Sequence, residues 1–292
     1  MQVRMRAPQH FDLEATVFSH GWIFLPPFSW KEDSLRAHIR GEPYPLSVTV
    51  TTPSDDRQAL LIDIDAKGEV HTDTKRIATE SVRWILRLDE DLTAATPLLE
   101  GDPHMAAALR QGAGRFLRAP NIWEEAVRIL CTTNINWRGT VGMVTRLVAL
   151  ARGSFPTPAC ILAANQDRLR QTGLGYRLPY LLALAHRFSS ADSPALWGDN
   201  PVSRESIRQE IGTWPGFGPY ATAHMLVQLG DYGDIPIDSE VRAFHPGMDD
   251  KGIRTLYAPY APFDFLAYKL RRIGMQNNWI GGAGGEGSLP LR

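Results

Sequence analysis

The sequence predicts a mainly α-helical protein that begins with a small α+β domain. Leu46, Val48 and Val50 alternate with polar residues, which is the pattern of a half-buried strand, and a second apolar run follows at residues 60–64. From about residue 75 onward, apolar residues recur at the three- and four-residue spacing of amphipathic helices. We therefore expect an antiparallel sheet near the N-terminus and helices over the rest of the chain.

Turns and short connectors set the order of these elements. A Pro-Ser-Asp-Asp turn at 53–56 joins the two strands, and a Lys67-Gly68 turn leads to a third strand at 69–71. After a first amphipathic helix from about residue 75, further helices are predicted at 121–131, 139–151, 159–172, 178–188, 203–212, 219–230 and 262–273. The predicted domains are an α+β domain at 1–100, a helical domain at 101–280 and a flexible glycine-rich tail at 281–292.

Composition excludes several classes of protein. The 292-residue chain has a formal net charge of −1, so it lacks the basic excess that is common in DNA-binding proteins. Its two cysteines cannot form a four-cysteine zinc or iron–sulfur site, and its histidines lack metal-ligand spacing, so we expect no metal bound by side chains. Neither a signal peptide nor an apolar run of roughly 20 residues is present. We expect a cytoplasmic protein.

The most informative segment is a glycine turn between two predicted helices, Trp214-Pro-Gly-Phe-Gly-Pro-Tyr-Ala-Thr-Ala223. We expect Gly216 and Gly218 to adopt conformations that a Cβ would penalise, so that peptide N–H groups face outward where the next helix begins. Pro219 suits the first position of that helix, because its missing N–H would have no partner there. Such a turn can hold a phosphate, although many helix connections use glycines for geometry alone.

A single carboxylate follows this turn, Asp238 in Ile235-Pro-Ile-Asp-Ser-Glu-Val241. It precedes a short predicted helix, and an N-cap is a very common role for aspartate at such a position. The competing role is chemical. A carboxylate can stabilise the positive, oxocarbenium-like sugar that forms when a glycosidic bond breaks, or orient water toward the anomeric carbon. One aspartate can serve both purposes.

The two segments together resemble the signature of the helix-hairpin-helix DNA glycosylase superfamily. Cys131–Leu147, Leu174–Tyr180 and Ala258–Ala261 are also similar to segments of 8-oxoguanine DNA glycosylases, so the resemblance covers about residues 80–275 in order. It implies two helical subdomains, with the helix-hairpin-helix at about 203–230, and a cleft between them that receives a flipped nucleotide. The implied partner is double-stranded DNA containing a damaged base, with no membrane. We expect a monomeric, nucleoid-associated protein.

The resemblance also assigns roles to individual residues. Asp238 would be the essential catalytic carboxylate. Asn134 would fill the space left by the extruded base, Tyr176 would be a wedge, and Arg177 would contact the orphaned partner base. The alternatives are a helix cap for Asn134, a core aromatic for Tyr176 and a surface ion pair for Arg177. Contacts to the DNA backbone would come from Gly216, Phe217, Gly218, Tyr220 and Ala221.

Several side chains are candidates for the pocket that holds the damaged base. The hairpin also resembles that of the monofunctional 3-methyladenine DNA glycosylase II branch, whose members bind alkylated bases between aromatic rings, and such rings attract a positively charged purine. This resemblance favours an alkylated base. Core packing is the alternative for every one of these rings. The candidates are Tyr220, His224, Phe265, Tyr268 and Trp137, with Trp214 and the aromatic segment Phe18–Trp30 as further possibilities.

One position separates this chain from the bifunctional members of the superfamily. Tyr220 occupies the place of the hairpin lysine that attacks the sugar in those proteins, and a phenol cannot form a Schiff base. Lys251 and Lys269 follow, but neither lies in a motif that would deliver it to Asp238. No cysteine follows Cys160, which rules out the iron–sulfur branch. We expect no cofactor, apart from a monovalent cation that the hairpin carbonyls could hold.

The sequence thus predicts a monofunctional DNA glycosylase of base excision repair that hydrolyses the N-glycosidic bond of a damaged purine. An alkylated base such as 3-methyladenine is favoured. Two alternatives remain open: an 8-oxoguanine-type glycosylase that lacks the hairpin lysine, and a non-catalytic protein that binds damaged DNA. A helical scaffold in which the glycines only shape a turn is a third possibility.

Overall fold

The computed structural model describes residues 1–39, 46–66, 72–190 and 203–277. The chain divides into two compact units. The first, here called the sheet unit, contains residues 1–24, 28–120 and the chain from Tyr232 onward. The second, the hairpin unit, contains residues 25–27 and 121–231. The domain boundaries at residues 100 and 280 stay predictions, and both the strand at 69–71 and the tail at 281–292 lie outside the described residues.

The sheet unit contains an antiparallel sheet, as the sequence predicts, and this sheet has five strands. Its strands are β1 (Gln2–Arg6), β2 (Ser29–Lys31), β3 (Ser34–Ile39), β4 (Leu46–Thr51) and β5 (Ala59–Asp65), in the order β1-β5-β4-β3-β2. The alternating apolar side chains of β4 are all buried. Strands β1, β2 and β3 were not predicted, although β1 and β3 show the apolar–polar alternation of strands; β2 is only three residues long.

The rest of the described chain is mainly helical. The helices are α1 (Leu13–Val17), α2 (Thr72–Ile85), α3 (Thr96–Leu99), α4 (Pro103–Arg110), α5 (Ile122–Thr132), α6 (Trp137–Leu150), α7 (Pro158–Ala163), α8 (Gln166–Arg170), α9 (Leu178–Ser189), α10 (Arg204–Gly212), α11 (Pro219–Gln228), α12 (Ser239–Phe244), α13 (Asp250–Tyr257) and α14 (Asp264–Gln276). No helix in the described ranges is long and apolar enough to cross a membrane.

In the sheet unit, α14 packs closely against α4. A Cβ on Gly274 would lie 2.1 Å from the carbonyl oxygen of His104, so only glycine permits this approach. Asp102 caps the start of α4 and also accepts a hydrogen bond from Arg271 of α14 at 2.7 Å. These contacts fix α14, which carries Phe265, Tyr268 and other candidate side chains.

In the hairpin unit, the single helix predicted at 159–172 is two helices, α7 and α8. Ala164 is extended, and the side chain of Asn165 accepts hydrogen bonds from the amides of Asp167 and Arg168, which starts a new helix. The helical spacing continues across this break, so the periodicity alone does not reveal it. The remaining helices of this unit agree with their predicted ranges to within about three residues.

A buried ion pair anchors the segment 25–27 to α5 of the hairpin unit. Arg128 is fully buried and pairs with Glu124 one helical turn earlier, at 2.5 Å. Its guanidinium also donates to the carbonyl oxygens of Leu25 and Pro26, at 3.1 and 3.2 Å. Removing one partner of such a pair leaves an uncompensated buried charge, so the contact is a structural constraint on this unit.

Candidate functional site

The hairpin between α10 and α11 depends on Gly216. This residue has a φ of +84°, in the left-handed region that favours glycine. A Cβ there would lie 2.7 Å from Cδ1 of Leu130 and 2.9 Å from Cδ2 of Tyr180. The amide of Phe217 donates to the carbonyl of Trp214 at 3.0 Å, which closes the turn. Backbone conformation and close packing therefore both require glycine at this position.

Gly218 plays a different part, which corrects the expectation from the sequence. Its φ of −78° is accessible to any residue, and a Cβ built there would meet open space. It is the N-cap of α11 but offers no side chain, and the amides of Gly218 and Ala221 have no acceptor among the described residues. The first turn of α11 therefore presents uncapped N–H donors, which is the arrangement that favours an anion.

Phe217 lies under the hairpin. It is only 6% exposed and packs edge-on against Trp214, with the ring centroids 5.2 Å apart. Trp214 is itself 2% exposed, so its ring belongs to the core of the unit. Any contact that Phe217 makes with DNA would therefore come from its backbone, and that contact stays a prediction.

Tyr220 and His224 lie one turn apart on α11, and both are partly exposed. The Tyr220 hydroxyl is 3.3 Å from Nδ1 of His224 and 3.5 Å from Oγ1 of Thr132. Because the Thr132 hydroxyl donates to the carbonyl of Ile129 at 2.7 Å, it can only accept from Tyr220. The predicted base-binding role of Tyr220 and His224 is compatible with their exposure and stays a prediction.

An exposed cluster surrounds the turn between α5 and α6. Asn134 has a φ of +45°, and its side-chain amide donates to the Tyr176 hydroxyl at 3.3 Å. Tyr176 is 53% exposed, so it is not a core aromatic. The cap of α6 is Asn136 rather than Asn134. A helix-capping role for Asn134 and a core role for Tyr176 are thus excluded. The insertion of these two side chains into DNA stays a prediction.

Arg177 is placed differently from the sequence-based expectation of an accessible side chain. It is 4% exposed, and its guanidinium donates to the carbonyl and, at 3.2 Å, to the hydroxyl of Thr133. The same guanidinium lies 4.4 Å from the ring centroid of Tyr176. Arg177 therefore holds the residue before Asn134 and supports the Tyr176 ring. Its contact with an orphaned base stays a prediction.

The remaining candidate in this unit, Trp137, begins α6 and is 40% exposed. Ile135, equally exposed, was not singled out by the sequence analysis. A Cβ on Gly139 would lie 2.5 Å from Cδ1 of Ile135, so Gly139 makes room for this side chain. Two large apolar side chains thus face solvent within this turn.

In the sheet unit, Asp238 caps α12. Its Oδ1 accepts a hydrogen bond from the amide of Val241 at 2.9 Å, which confirms the helix-capping alternative. The second carboxylate oxygen makes no hydrogen bond among the described residues, and the residue is partly exposed. The cap therefore fixes the position of the side chain while leaving one oxygen available for other contacts.

Lys269 is a charged neighbour that the sequence analysis set aside. Its Nζ lies 5.9 Å from the ring centroid of Phe265, one helical turn earlier on α14. Burial lowers the pKa of Lys269 to about 8, and repulsion from Arg272 acts in the same direction, whereas attraction to Glu240 and Asp238 opposes it. Arg272 of the same helix pairs at 2.9 Å with Glu240 in the first turn of α12, the helix that Asp238 caps, while the expectation that no motif delivers Lys269 to Asp238 stays a prediction.

Phe265 and Tyr268 of α14 are 6% and 1% exposed. The Phe265 ring packs edge-on against Phe116 at 5.4 Å, and the Tyr268 hydroxyl accepts a hydrogen bond from Arg272 at 3.1 Å. Burial raises the pKa of Tyr268 to about 12. Core packing is therefore observed for both rings, and their contribution to a base pocket stays a prediction. In the N-terminal aromatic segment, Phe18 packs edge-on against Trp30 at 5.6 Å.

Comparison with known proteins identifies the fold. No family model matches the chain. The N-glycosylase/DNA lyase of Saccharomyces cerevisiae is 24% identical over 165 residues, which are 49% of this chain and 43% of that protein, so the match spans less than half of the relative. The structure of a 3-methyladenine DNA-glycosylase from Archaeoglobus fulgidus has a TM-score of 0.72 at 16% identity, covering 92% of this chain and 98% of the other.

A second similar structure is the 8-oxoguanine glycosylase/lyase of Clostridium acetobutylicum in its apo form. It has a TM-score of 0.67 at 16% identity and covers 93% of this chain and 95% of its own. The chain has the helix-hairpin-helix DNA glycosylase fold. Both named lesion types occur among these structures, so the glycosylase fold is common to both.

Within this glycosylase fold, the candidate groups divide between the two units. The hairpin unit carries the open start of α11, the Tyr220–His224 pair and the exposed cluster around Asn134. The sheet unit carries Asp238 and Lys269. No group of three or more histidine, cysteine or carboxylate side chains that could hold a metal occurs in the described ranges. A monovalent cation at the hairpin carbonyls stays a prediction.

Proposed function

We propose that this protein is a DNA glycosylase that hydrolyses the N-glycosidic bond of a damaged purine, with Asp238 as the essential carboxylate. The observation that carries the proposal is the state of Asp238, in which one oxygen caps α12 and the other has no partner among the described residues. A fixed carboxylate with an available oxygen can stabilise the positive sugar of the transition state or orient the attacking water. The glycosylase fold supports this assignment.

Double-stranded DNA is the proposed partner, bound by a monomer. The uncapped amides at the start of α11 supply donors for a backbone phosphate, and the dipole of that helix adds favourable potential. The exposed side chains of Asn134 and Tyr176 are suited to enter the space that a flipped nucleotide leaves. These contacts need no overall basic charge, because backbone N–H groups and stacking provide much of the interaction.

We further propose that base release is hydrolytic and leaves the abasic strand uncut. Tyr220 places a phenol, rather than an amine, in the hairpin, and a phenol cannot form an iminium with the sugar. The choice of lesion is left open by the fold, since the similar structures carry names from both lesion types. The aromatic candidates favour an alkylated purine on sequence grounds, with an oxidised purine as the second candidate.

A panel of damaged duplexes tests the proposal. Each duplex carries one alkylated purine, hypoxanthine or 8-oxoguanine, and the products are resolved with and without heating in alkali. We expect strand breaks only after alkali, and no borohydride-trapped adduct. Absence of abasic sites from every lesion would contradict the proposed function, and lesion-dependent affinity without product would indicate a non-catalytic binder. Strand breaks without alkali would contradict hydrolytic release but would leave the proposed glycosylase function intact.

A further inference from the structure

Lys269 is a partly exposed lysine whose ammonium has no hydrogen-bond acceptor or ion-pair partner among the described residues. Its Nζ lies 5.9 Å from the ring centroid of Phe265, and Arg272 of the same helix pairs at 2.9 Å with Glu240 in the first turn of α12, the helix that Asp238 caps. A desolvated ammonium with unmet donors is unfavourable unless water or a ligand satisfies it. The sheet unit therefore carries a cationic donor without a protein partner among the described residues, on the helix that pairs with the start of α12, where the proposed catalytic carboxylate lies.

The neighbouring charges leave Lys269 able to exchange its proton. Arg272 pairs with Glu240 at 2.9 Å and donates a hydrogen bond to the Tyr268 hydroxyl. Its charge repels Lys269, but because it already has these two partners it does not compete with Lys269 for a ligand. Glu240 and Asp238 attract the ammonium. Burial has the largest effect and, together with these charges, lowers the pKa of Lys269 to about 8, so the group is mostly protonated at neutral pH and still acidic enough to transfer a proton.

The charge of a damaged purine decides whether such a donor is useful. A neutral purine, such as hypoxanthine or 8-oxoguanine, takes the electron pair of the C1′–N9 bond as it departs and becomes an anion unless it is protonated. A purine alkylated at a ring nitrogen already carries a positive charge and departs as a neutral molecule. A general acid therefore accelerates the first reaction, while its ammonium repels the second substrate.

We propose that Lys269 is a catalytic residue that protonates the departing base and makes the protein selective for neutral damaged purines. The proposal rests on the proposed glycosylase function. The C1′–N9 bond breaks, its electron pair passes to the purine, and the purine takes a proton from Nζ. Water adds to C1′ and loses a proton to Asp238, which passes it to solvent, and solvent restores the proton on Nζ. This selectivity for neutral purines replaces the preference for alkylated purines that the aromatic residues alone favour.

The test compares lesions of different charge in single-turnover excision. Duplexes contain either hypoxanthine, which is neutral, or 7-methylguanine, which is cationic. We expect Lys269→Met to lower the ratio of hypoxanthine to 7-methylguanine excision roughly 100-fold, which is the low end of general acid catalysis. Lys251→Met removes the same charge from an exposed position on α13 and should leave the ratio unchanged.

The pH profile gives a readout that a structural role would not change. Because only the protonated amine can donate, hypoxanthine excision by the wild-type protein should fall as pH rises through about 8, and 7-methylguanine excision should not show this limb. The limb should be absent in Lys269→Met. Lys269→Arg keeps the charge but holds its proton, so it should retain part of the rate without a fall between about pH 7 and 9.

Several outcomes would overturn the assignment. An equal loss for both lesions in Lys269→Met would show a structural role. Excision of 7-methylguanine alone by the wild-type protein would refute the selectivity while leaving the proposed glycosylase function intact. A borohydride adduct that disappears in Lys269→Met would make the lysine a nucleophile instead of an acid. If the wild-type protein excises no lesion at all, the proposed function itself fails.

Discussion

The hairpin and the surroundings of Asp238 are built on different physical principles. In the hairpin, the groups suited to bind DNA are backbone amides within ten consecutive residues, and glycine shapes their display. Around Asp238, the relevant groups are side-chain charges on α12 and α14, which are distant in sequence. The first arrangement is local and the second depends on packing within the sheet unit.

This difference explains why one region is visible in the sequence and the other is not. A turn that needs a positive φ and close packing requires glycine. The presence of glycine in the sequence therefore predicts the turn, as it does at Gly216. A lysine can occupy almost any partly exposed helix position, so nothing in the local sequence marks Lys269 as special. Four substitutions test this difference between the two regions, in order of decreasing expected effect.

Asp238→Asn should separate the charge of Asp238 from its capping role. Asparagine caps helices about as well as aspartate, so the free energy of unfolding should change little. Loss of the charge should slow excision roughly 1000-fold, or about 4 kcal/mol in the barrier, as measured in single turnover. Asp249→Asn alters the equivalent cap of α13, whose side chain bonds to the amide of Gly252 at 2.7 Å, and should change neither quantity. Retained turnover in Asp238→Asn would remove this residue from the mechanism.

Gly216→Ala should damage the hairpin through stability. The added Cβ meets Leu130 and Tyr180 and occupies a left-handed backbone conformation, which together should cost about 3 kcal/mol. Chemical denaturation monitored by circular dichroism measures this loss. A change below about 1 kcal/mol would mean that the turn relaxes and that the requirement for glycine is weaker than the geometry indicates.

Gly218→Ala should affect DNA binding instead. The backbone conformation suits alanine and the space is open, so the free energy of unfolding should stay within about 0.5 kcal/mol of the wild type. If a phosphate meets these amides, a Cβ there should weaken affinity for a duplex about tenfold, or about 1.4 kcal/mol. Unchanged affinity in a titration with labelled duplex would argue against backbone contact at this position.

Asn134→Gly should give the smallest effect and tests whether a strained turn is also functional. Glycine tolerates the φ of +45°, so stability should change by no more than about 0.5 kcal/mol. Loss of the side chain that bonds to Tyr176 should lower excision about fivefold. Arg152→Gly relieves a similar φ of +58° at another exposed position and is the matched control. Equal excision by both variants would leave Asn134 with a purely structural role.

The sequence predicted well wherever the signal was periodic or required a particular residue. The strands β4 and β5, most helices and the hairpin follow from apolar spacing, glycine and proline. The helices α1, α3, α4 and α13 were not predicted, although the start of α13 is marked by the capping residue Asp249. The sequence predicts an accessible side chain for Arg177, yet its guanidinium is buried against Thr133. Its burial depends on a partner in a separate segment, which no local pattern encodes.

The sequence by itself determined strands β4 and β5, most of the helices, the hairpin and the candidate carboxylate, because backbone conformation and helix capping are local requirements. Tertiary structure alone decided that one oxygen of Asp238 is committed to α12 while the other has no partner among the described residues. It also decided that α14, which carries Lys269, pairs with the first turn of α12 through Arg272 and Glu240, and that burial lowers the pKa of Lys269. Desolvation and charge–charge interaction depend on distances between segments, and only the packed chain sets those distances.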